Sequence, residues 1–404
     1  LEPRPPRLLR VAVVAINAPP KNTAESLQVG KVLKYLARSC SVELITTRYF
    51  GGWKPLDQSL LGYLTGTQRV LDFPVPEFRW IVAALQRLPP RFTLGVDPDI
   101  SFLTRFPLVL QHMEAPDILY SRAMPHSSSL MALMLARWWR VPWVMHLSDP
   151  WVGNAMEPRA NTRFNARMER LCIEAAARVT VTSPMTLALY LDRYPAYAWK
   201  FSLFPNLFDD DDVWNEPPPA EGPVVVAHTG RLYGSRGPEP LLRAIEVLQR
   251  ESPGTLDRLR FLFAGFLDDA CAAQLRGSDA RIKNLGPVSM VEARNLQRSA
   301  HALLLLDPQP MGGPPPVVLP SKILDYLAAR RPIVAVTAEG TASHDIALRA
   351  GGARFAHEDA QGLARHLRGL VERRDAGVTA FPEPLADYAA SVNVERLVRI
   401  FQEL

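Results

Sequence analysis

At 404 residues the chain exceeds what one hydrophobic core usually serves, and 48% hydrophobic with 22% charged residues is the composition of a globular protein, here of two domains. No apolar run approaches the roughly 20 residues that span a bilayer. The basic opening LEPRPPRLLR has no signal-peptide core, and Cys40, Cys172 and Cys271 are odd in number and scattered; that argues against a disulfide framework or a zinc site and for a reducing, cytoplasmic setting.

The net charge of +5 is uneven. Residues 1–200 carry 24 Lys+Arg against 15 Asp+Glu, and residues 201–404 carry 22 against 26. A basic front half suits an anionic membrane surface or an anionic acceptor, or is simply an Arg-rich composition. Nucleic acid is not expected, because the basic residues are dispersed and no binding motif for it occurs.

In chain order, apolar strands are predicted at Leu9–Ile16, Val42–Thr46, Asp117–Tyr120, Trp143–Leu147, Arg178–Thr182 and Phe201–Phe204. Helical patterns at Ala24–Arg38, Ser128–Arg140 and Arg159–Ala177 lie between them. This alternation is the signature of a parallel sheet covered by helices on both faces. Residues 50–110, broken by Pro, Gly and aromatics, read as an irregular, partly helical insertion. Within it Arg79–Phe92 is apolar with flanking Arg, a pattern for lying on a membrane surface or packing in a core.

The acidic, proline-rich run Asp209–Pro223 cannot continue a helix or central strand and reads as a linker. Strands then resume at Val224–Thr229, Leu259–Ala264, Ala302–Leu306 and Pro332–Val336. Helices are expected at Pro238–Arg250, Asp268–Arg276, Ser289–Ser299, Ser321–Ala329 and Leu363–Arg373. The expected domains are 1–208 and 224–381. A terminal helix, 382–404, is expected to pack back on the first domain.

Two segments carry chemistry. His228–Gly237 (HTGRLYGSRG) follows a strand and precedes a helix. Its Gly230, Gly234 and Gly237 permit tight turns, and Arg231 and Arg236 are charged donors for phosphate. It is neither a P-loop nor a dinucleotide fingerprint, so by itself it is structural or functional alike. In Leu319–Val336, Pro320 and Ser321 open a helix that Ser321 can cap. Lys322 stands at its positive end, a seat for phosphate, and Asp325, one turn on, can accept from a sugar diol or pair with Lys322.

With these segments in order, the chain resembles the retaining GT-B glycosyltransferases that use nucleotide sugars, a family-4-like group of the P-S-K form. The segments HTGRLYGSRGPEPLLRAI, RFLFAG, IKNLGPVSMVEARNLQRSAHALLLL and DPQPMGGPPPVVLPSKILDYLAARRPIVAV carry the resemblance. It implies two facing Rossmann-like, doubly wound α/β domains with the site in the cleft between them. It also implies a UDP- or GDP-sugar as substrate, with no cofactor and no metal.

By position, the resemblance makes Arg236 and Lys322 the catalytic cations on the donor diphosphate. Gly230, Arg231 and Ser321 lie beside the phosphates, and Asp325 is on the ribose. Gly265, Phe266, Pro287 and Val288 line the base, while Met311, Gly312 and Gly313 approach the sugar. Many members have Glu eight residues before the ribose carboxylate; here Val317 follows Pro314–Pro316.

The front half matches more loosely. INAPPKNTAES lacks the usual glycine pair. Asn22, Thr23 and Glu25 are acceptor-side candidates, as are Arg122, His126, His146 and Asp149. Thr23 also reads as a helix cap, and His146 as a structural hydrogen-bonder. The implied reaction is sugar transfer to a glycan, lipid-linked or small-molecule acceptor. A nucleotide-sugar epimerase or an inactive binding module are the alternatives.

Overall fold

The alternation of apolar strands with amphipathic helices resolves into two parallel sheets in a computed structural model. It describes residues 7–50, 55–76, 97, 99–154, 162–309, 319–378 and 381–404. The chain divides into two compact units, Leu1–Leu207 with Ala390–Leu404, and Phe208–Ala389.

The first unit holds β1 (Arg10–Val14), β2 (Ser41–Phe50), β3 (Arg69–Pro76), β4 (Ile118–Ala123), β5 (Trp143–Leu147), β6 (Arg178–Val181) and β7 (Phe201–Leu203) in the order β3-β2-β1-β4-β5-β6-β7. The period of two along β1 feeds two cores. Val11 and Val13 join one cluster, with Leu33, Leu44 and Tyr120. Ala12 and Val14 join the other, with Leu119, Met145 and Trp151. Strands buried on both faces read as unbroken apolar runs, as WVMHL does.

The second unit holds β8 (Val224–Thr229), β9 (Leu259–Ala264), β10 (Ile282–Asn284), β11 (Ala302–Leu306), β12 (Ile333–Val336) and β13 (Ala353–Phe355) in the order β10-β9-β8-β11-β12-β13. In each unit the order reverses once, between β1 and β4 and between β8 and β11. Such a switch opens a crevice at the carboxyl ends of the strands.

Three strands differ from expectation. β3 lies in the segment read as irregular, and its Pro74 and Pro76 are tolerated because it is an edge strand. The short β10 and β13 are edges too. Arg79–Phe92 falls outside the described residues.

The expected linker is also different. Residues 209–223 belong to the second unit and are strapped to it. Trp214 N–H donates to Ala328 O (2.9 Å), Arg331 Nη2 donates to Glu216 O (2.6 Å), and Asp212 pairs with Arg294 (2.6 Å). The returning segment starts at Ala390, not at 382. Its helix, Ala390–Gln402, buries Ala390, Val394, Leu397, Val398 and Phe401 in the first unit, with Phe401 edge-on to Tyr120 at 5.6 Å.

Candidate functional site

In the second unit the switch between β8 and β11 gathers three loops. The turn after β8 is laced to the turn after β9. Gly230 N–H donates to Ala264 O (2.7 Å), Leu232 N–H to Phe266 O (3.0 Å) and Gly234 N–H to Asp268 Oδ2 (2.9 Å). Only glycine fits at 265: φ is +139°, and a Cβ there would lie 2.2 Å from Gly230 O. Gly265 N–H donates in turn to Gly286 O (2.8 Å), which sets the Gly286–Pro287 peptide beside Gly265, with Val288 next in the chain. Phe266 is half-exposed, and the Arg231 guanidinium lies 5.1 Å from its ring centre.

Lys322 enters this turn from its helix, Lys322–Ala329. Its Nζ is 3.2 Å from His228 Nε2 and 3.3 Å from Arg231 O. Burial first, then the neighbouring Arg236 guanidinium, lower the Lys322 pKa to about 7, with Asp307 opposing them. Among the described residues Arg236 Nε is buried with no hydrogen-bond partner, and so is Asp307 Oδ1 just past β11. The other Asp307 oxygen accepts from Thr337 Oγ1 (2.8 Å).

Ser321 does not cap this helix. Its φ of −61° and ψ of −24° are already helical, so the side chain cannot turn back onto the first-turn N–H groups. Ile323 and Leu324 N–H instead donate to Pro320 O and Ser321 O (3.3 and 3.1 Å). Asp325, one turn on, lines a small cavity with Asp212, Arg294, Gln297 and Arg298. Gln297 donates to Thr229 Oγ1 (2.7 Å), and Tyr326 OH accepts from Thr229 N–H (2.9 Å); together they fix the strand end beneath both groups.

In the first unit the switch between β1 and β4 holds a buried ion pair. Arg122 Nε donates to Glu25 Oε1 (2.9 Å), and Ser148 Oγ donates to Glu25 Oε2 (2.6 Å). Burial raises the Glu25 pKa, and Arg122 and Ser148 work against that rise. Among the described residues Arg122 Nη2 is buried with no partner. Thr23 caps the Ala24–Leu36 helix through Ser26 N–H (3.1 Å), and Asn22 N–H donates to Pro55 O (2.7 Å). Asp149 follows β5 and is partly buried.

Both candidate histidines are interior groups. His146 bonds Thr180 Oγ1 (2.9 Å), and burial, then Arg122, hold its pKa well below the usual value. His126 stacks on Trp151 at 4.5 Å, and burial lowers its pKa to about 3.

Residues 26–206, in the first unit, match the family described as a glycosyl transferase 4-like domain. No curated protein sequence matches the chain. Among solved structures, HepE from Anabaena in complex with UDP-glucose is 14% identical with a TM-score of 0.65, over 98% of this chain and 100% of that one. Sucrose-phosphate synthase from Thermosynechococcus elongatus is 15% identical with a TM-score of 0.62, over 98% of both chains. The E. coli trehalose-6-phosphate structure bound with UDP-2-fluoro glucose is 12% identical with a TM-score of 0.63, over 98% and 99%. The fold is GT-B.

Within this GT-B chain the structure brings together Gly230, Arg231, Arg236 and Lys322 at one turn, and Gly265, Phe266, Pro287 and Val288 at the next. Met311, Gly312 and Gly313 lie outside the described residues, as does Val317. Sequence reading passed over His228, Asp307, Gln297, Tyr326 and Ser148. Asp307 had a visible signal: it is the first charge after the buried run ALLLL, at a strand's carboxyl end. The others show themselves only through partners far along the chain.

Proposed function

We propose that the chain is a hexosyltransferase that moves a sugar from a UDP- or GDP-linked donor to a hydroxyl of a glycan, lipid-linked or small-molecule acceptor. The transfer would retain anomeric configuration and need no metal ion. One observation carries this reading: the Lys322 ammonium meets the Arg231 carbonyl and feels the Arg236 guanidinium at one glycine-rich turn, and Asp325 stands one helical turn beyond Lys322. Cations held on rigid backbone beside a carboxylate suit a diphosphate next to a ribose diol. UDP and UDP-glucose in complexes of the same fold support a uridine donor.

In the reaction the bond from the anomeric carbon to the diphosphate oxygen breaks, and its electron pair leaves with the diphosphate. Arg236 and Lys322 offset that growing negative charge, which lowers the barrier because both are in place beforehand. Asp325 accepts from the ribose hydroxyls and holds the nucleotide. The acceptor hydroxyl attacks from the leaving-group side, and its proton passes to the departing phosphate oxygen.

Among the described residues no helix is long and apolar enough to cross a membrane. The basic first unit would serve a lipid-linked acceptor by resting on an anionic inner membrane face, which co-sedimentation with anionic vesicles at low salt tests.

Thermal unfolding with UDP, GDP, ADP and dTDP, without metal, tests the donor. A nucleotide at about 100 times its dissociation constant adds roughly 2.7 kcal/mol and raises the midpoint by several degrees. Transfer from the matching sugar nucleotide, with the product anomer read by NMR, tests the reaction. No shift with any nucleotide would overturn the donor site. Conversion of the donor sugar without an acceptor would mark an epimerase of the same fold.

A further inference from the structure

His228 is the penultimate residue of β8, two residues before Gly230, and is 1% exposed. Its ring lies among Phe263 of β9 (ring centres 5.7 Å apart), Leu304 of β11, Lys322 and Arg236. Nδ1 is 2.9 Å from Leu304 O. A carbonyl only accepts, so the proton sits on Nδ1 and Nε2 presents a lone pair. That lone pair is 3.2 Å from Lys322 Nζ, and an ammonium only donates. The result is a directed chain: Lys322 donates to His228, and His228 donates to Leu304. Arg231 O, at 3.3 Å, takes a second ammonium proton. A Cβ on Gly230 would come within 2.9 Å of Lys322 Cε and 3.0 Å of Nζ, so the ammonium passes over bare backbone. Among the described residues these contacts engage two of its three N–H groups, and the third is left for an anion.

We propose that His228 is a positioning residue for Lys322: its Nε2 lone pair holds the Lys322 side chain in the ammonium form above Gly230, with one N–H free for the donor diphosphate. This deepens the donor-site reading and rests on it. The electrostatics agree. Burial, then Lys322 and Arg236, keep the imidazole neutral, with the Leu304 carbonyl opposing them. Burial, then Arg236, push the Lys322 ammonium down to about 7, and Asp307 favours its charge. Removing a neutral acceptor from beside a half-desolvated ammonium lowers its pKa further. Diphosphate affinity therefore falls as pH rises through about 7, and without His228 it falls at lower pH.

Calorimetry of UDP binding between pH 5.5 and 9 tests this on the full chain and four variants: Lys322→Ala, His228→Leu, His228→Gln and His228→Asn. Gln places its amide oxygen where Nε2 stood. Asn reaches only the Nδ1 position, so it keeps the Leu304 bond and loses the Lys322 contact. The expected result is a midpoint lowered by about one pH unit in the Leu and Asn variants, with affinity at pH 7.5 down about tenfold, and a native midpoint in the Gln variant. A native midpoint in His228→Asn overturns the inference, and that variant decides if His228→Leu does not fold. UDP affinity in Lys322→Ala equal to that of the unaltered protein would instead overturn the donor-site reading.

Discussion

Lys322 and Asp325 stand three residues apart on one helix, and what each side chain meets separates their roles. Lys322 reaches the turn after β8 through His228 and Arg231, while Asp325 faces a cavity lined by Gln297 and Arg298. Lys322→Ala should weaken UDP and inorganic pyrophosphate alike, by at least tenfold or about 1.4 kcal/mol. Asp325→Ala should weaken UDP by as much and leave pyrophosphate unchanged, which calorimetry with both ligands checks. Equal losses of pyrophosphate in the two variants would remove Asp325 from the ribose. Gly265 and Gly234 make a second contrast. Both have positive φ, +139° and +59°, but only at 265 would a Cβ meet backbone, at 2.2 Å. Gly234→Ala should cost about 1 kcal/mol, the left-handed penalty alone, and Gly265→Ala should cost more in urea unfolding.

At the scale of the element, two serine starts that look alike in sequence behave differently. Ser289 has extended dihedrals (φ −65°, ψ 162°) and forms a capping box with Glu292, bonding Glu292 N–H at 3.2 Å. Ser321 has helical dihedrals and caps nothing. Ser289→Ala should therefore destabilise the second unit by about 1 kcal/mol and Ser321→Ala by much less, as denaturant midpoints will report. The first cap carries an S-x-x-E spacing, Ser289 to Glu292. The pattern P-S-K did not reveal the dihedrals of Ser321. Periodicity located the long elements well, because burial on a helix face or on both sides of a strand imposes a repeat on the sequence. It missed β3, whose prolines read as breakers, since nothing in a linear string says that a strand is an edge.

For the whole molecule, the terminal helix and the buried histidines matter most. Removing residues 390–404 would bare the pocket filled by Val394, Leu397, Val398 and Phe401. Each such side chain is worth about 1.5–3 kcal/mol of burial, so the truncated first unit should lose most of its stability while the second unit keeps a separate transition. A single unchanged calorimetric transition would contradict this. Acid should also destabilise the protein well above the carboxylate range. His126 titrates at about 3 in the folded state, and His146 and His228 are likewise held neutral by burial. Unfolded imidazoles bind protons below about pH 6.5 and these folded ones do not, so stability falls as pH drops from about 6.5, by up to about 1.4 kcal/mol per unit for each histidine. His126→Phe, which keeps a ring against Trp151, should flatten that slope in urea titrations at pH 5 to 7.

The sequence by itself determined the two parallel-sheet units, the order of their main elements, and the glycines and cations of the turn after β8. These are properties of local pattern, set by periodic burial and by the backbone freedom of glycine. Tertiary structure alone decided that Glu25 and Arg122, 97 residues apart, form a pair, and that His228 braces Lys322 from 94 residues away. It also decided that the acidic run Asp209–Pro223 is a strap on the second unit instead of a free tether. Such pairings have no sequence period. They exist because sheet order brings distant strand ends to one crevice, and burial there leaves each polar group to find its partner among whatever that order supplies.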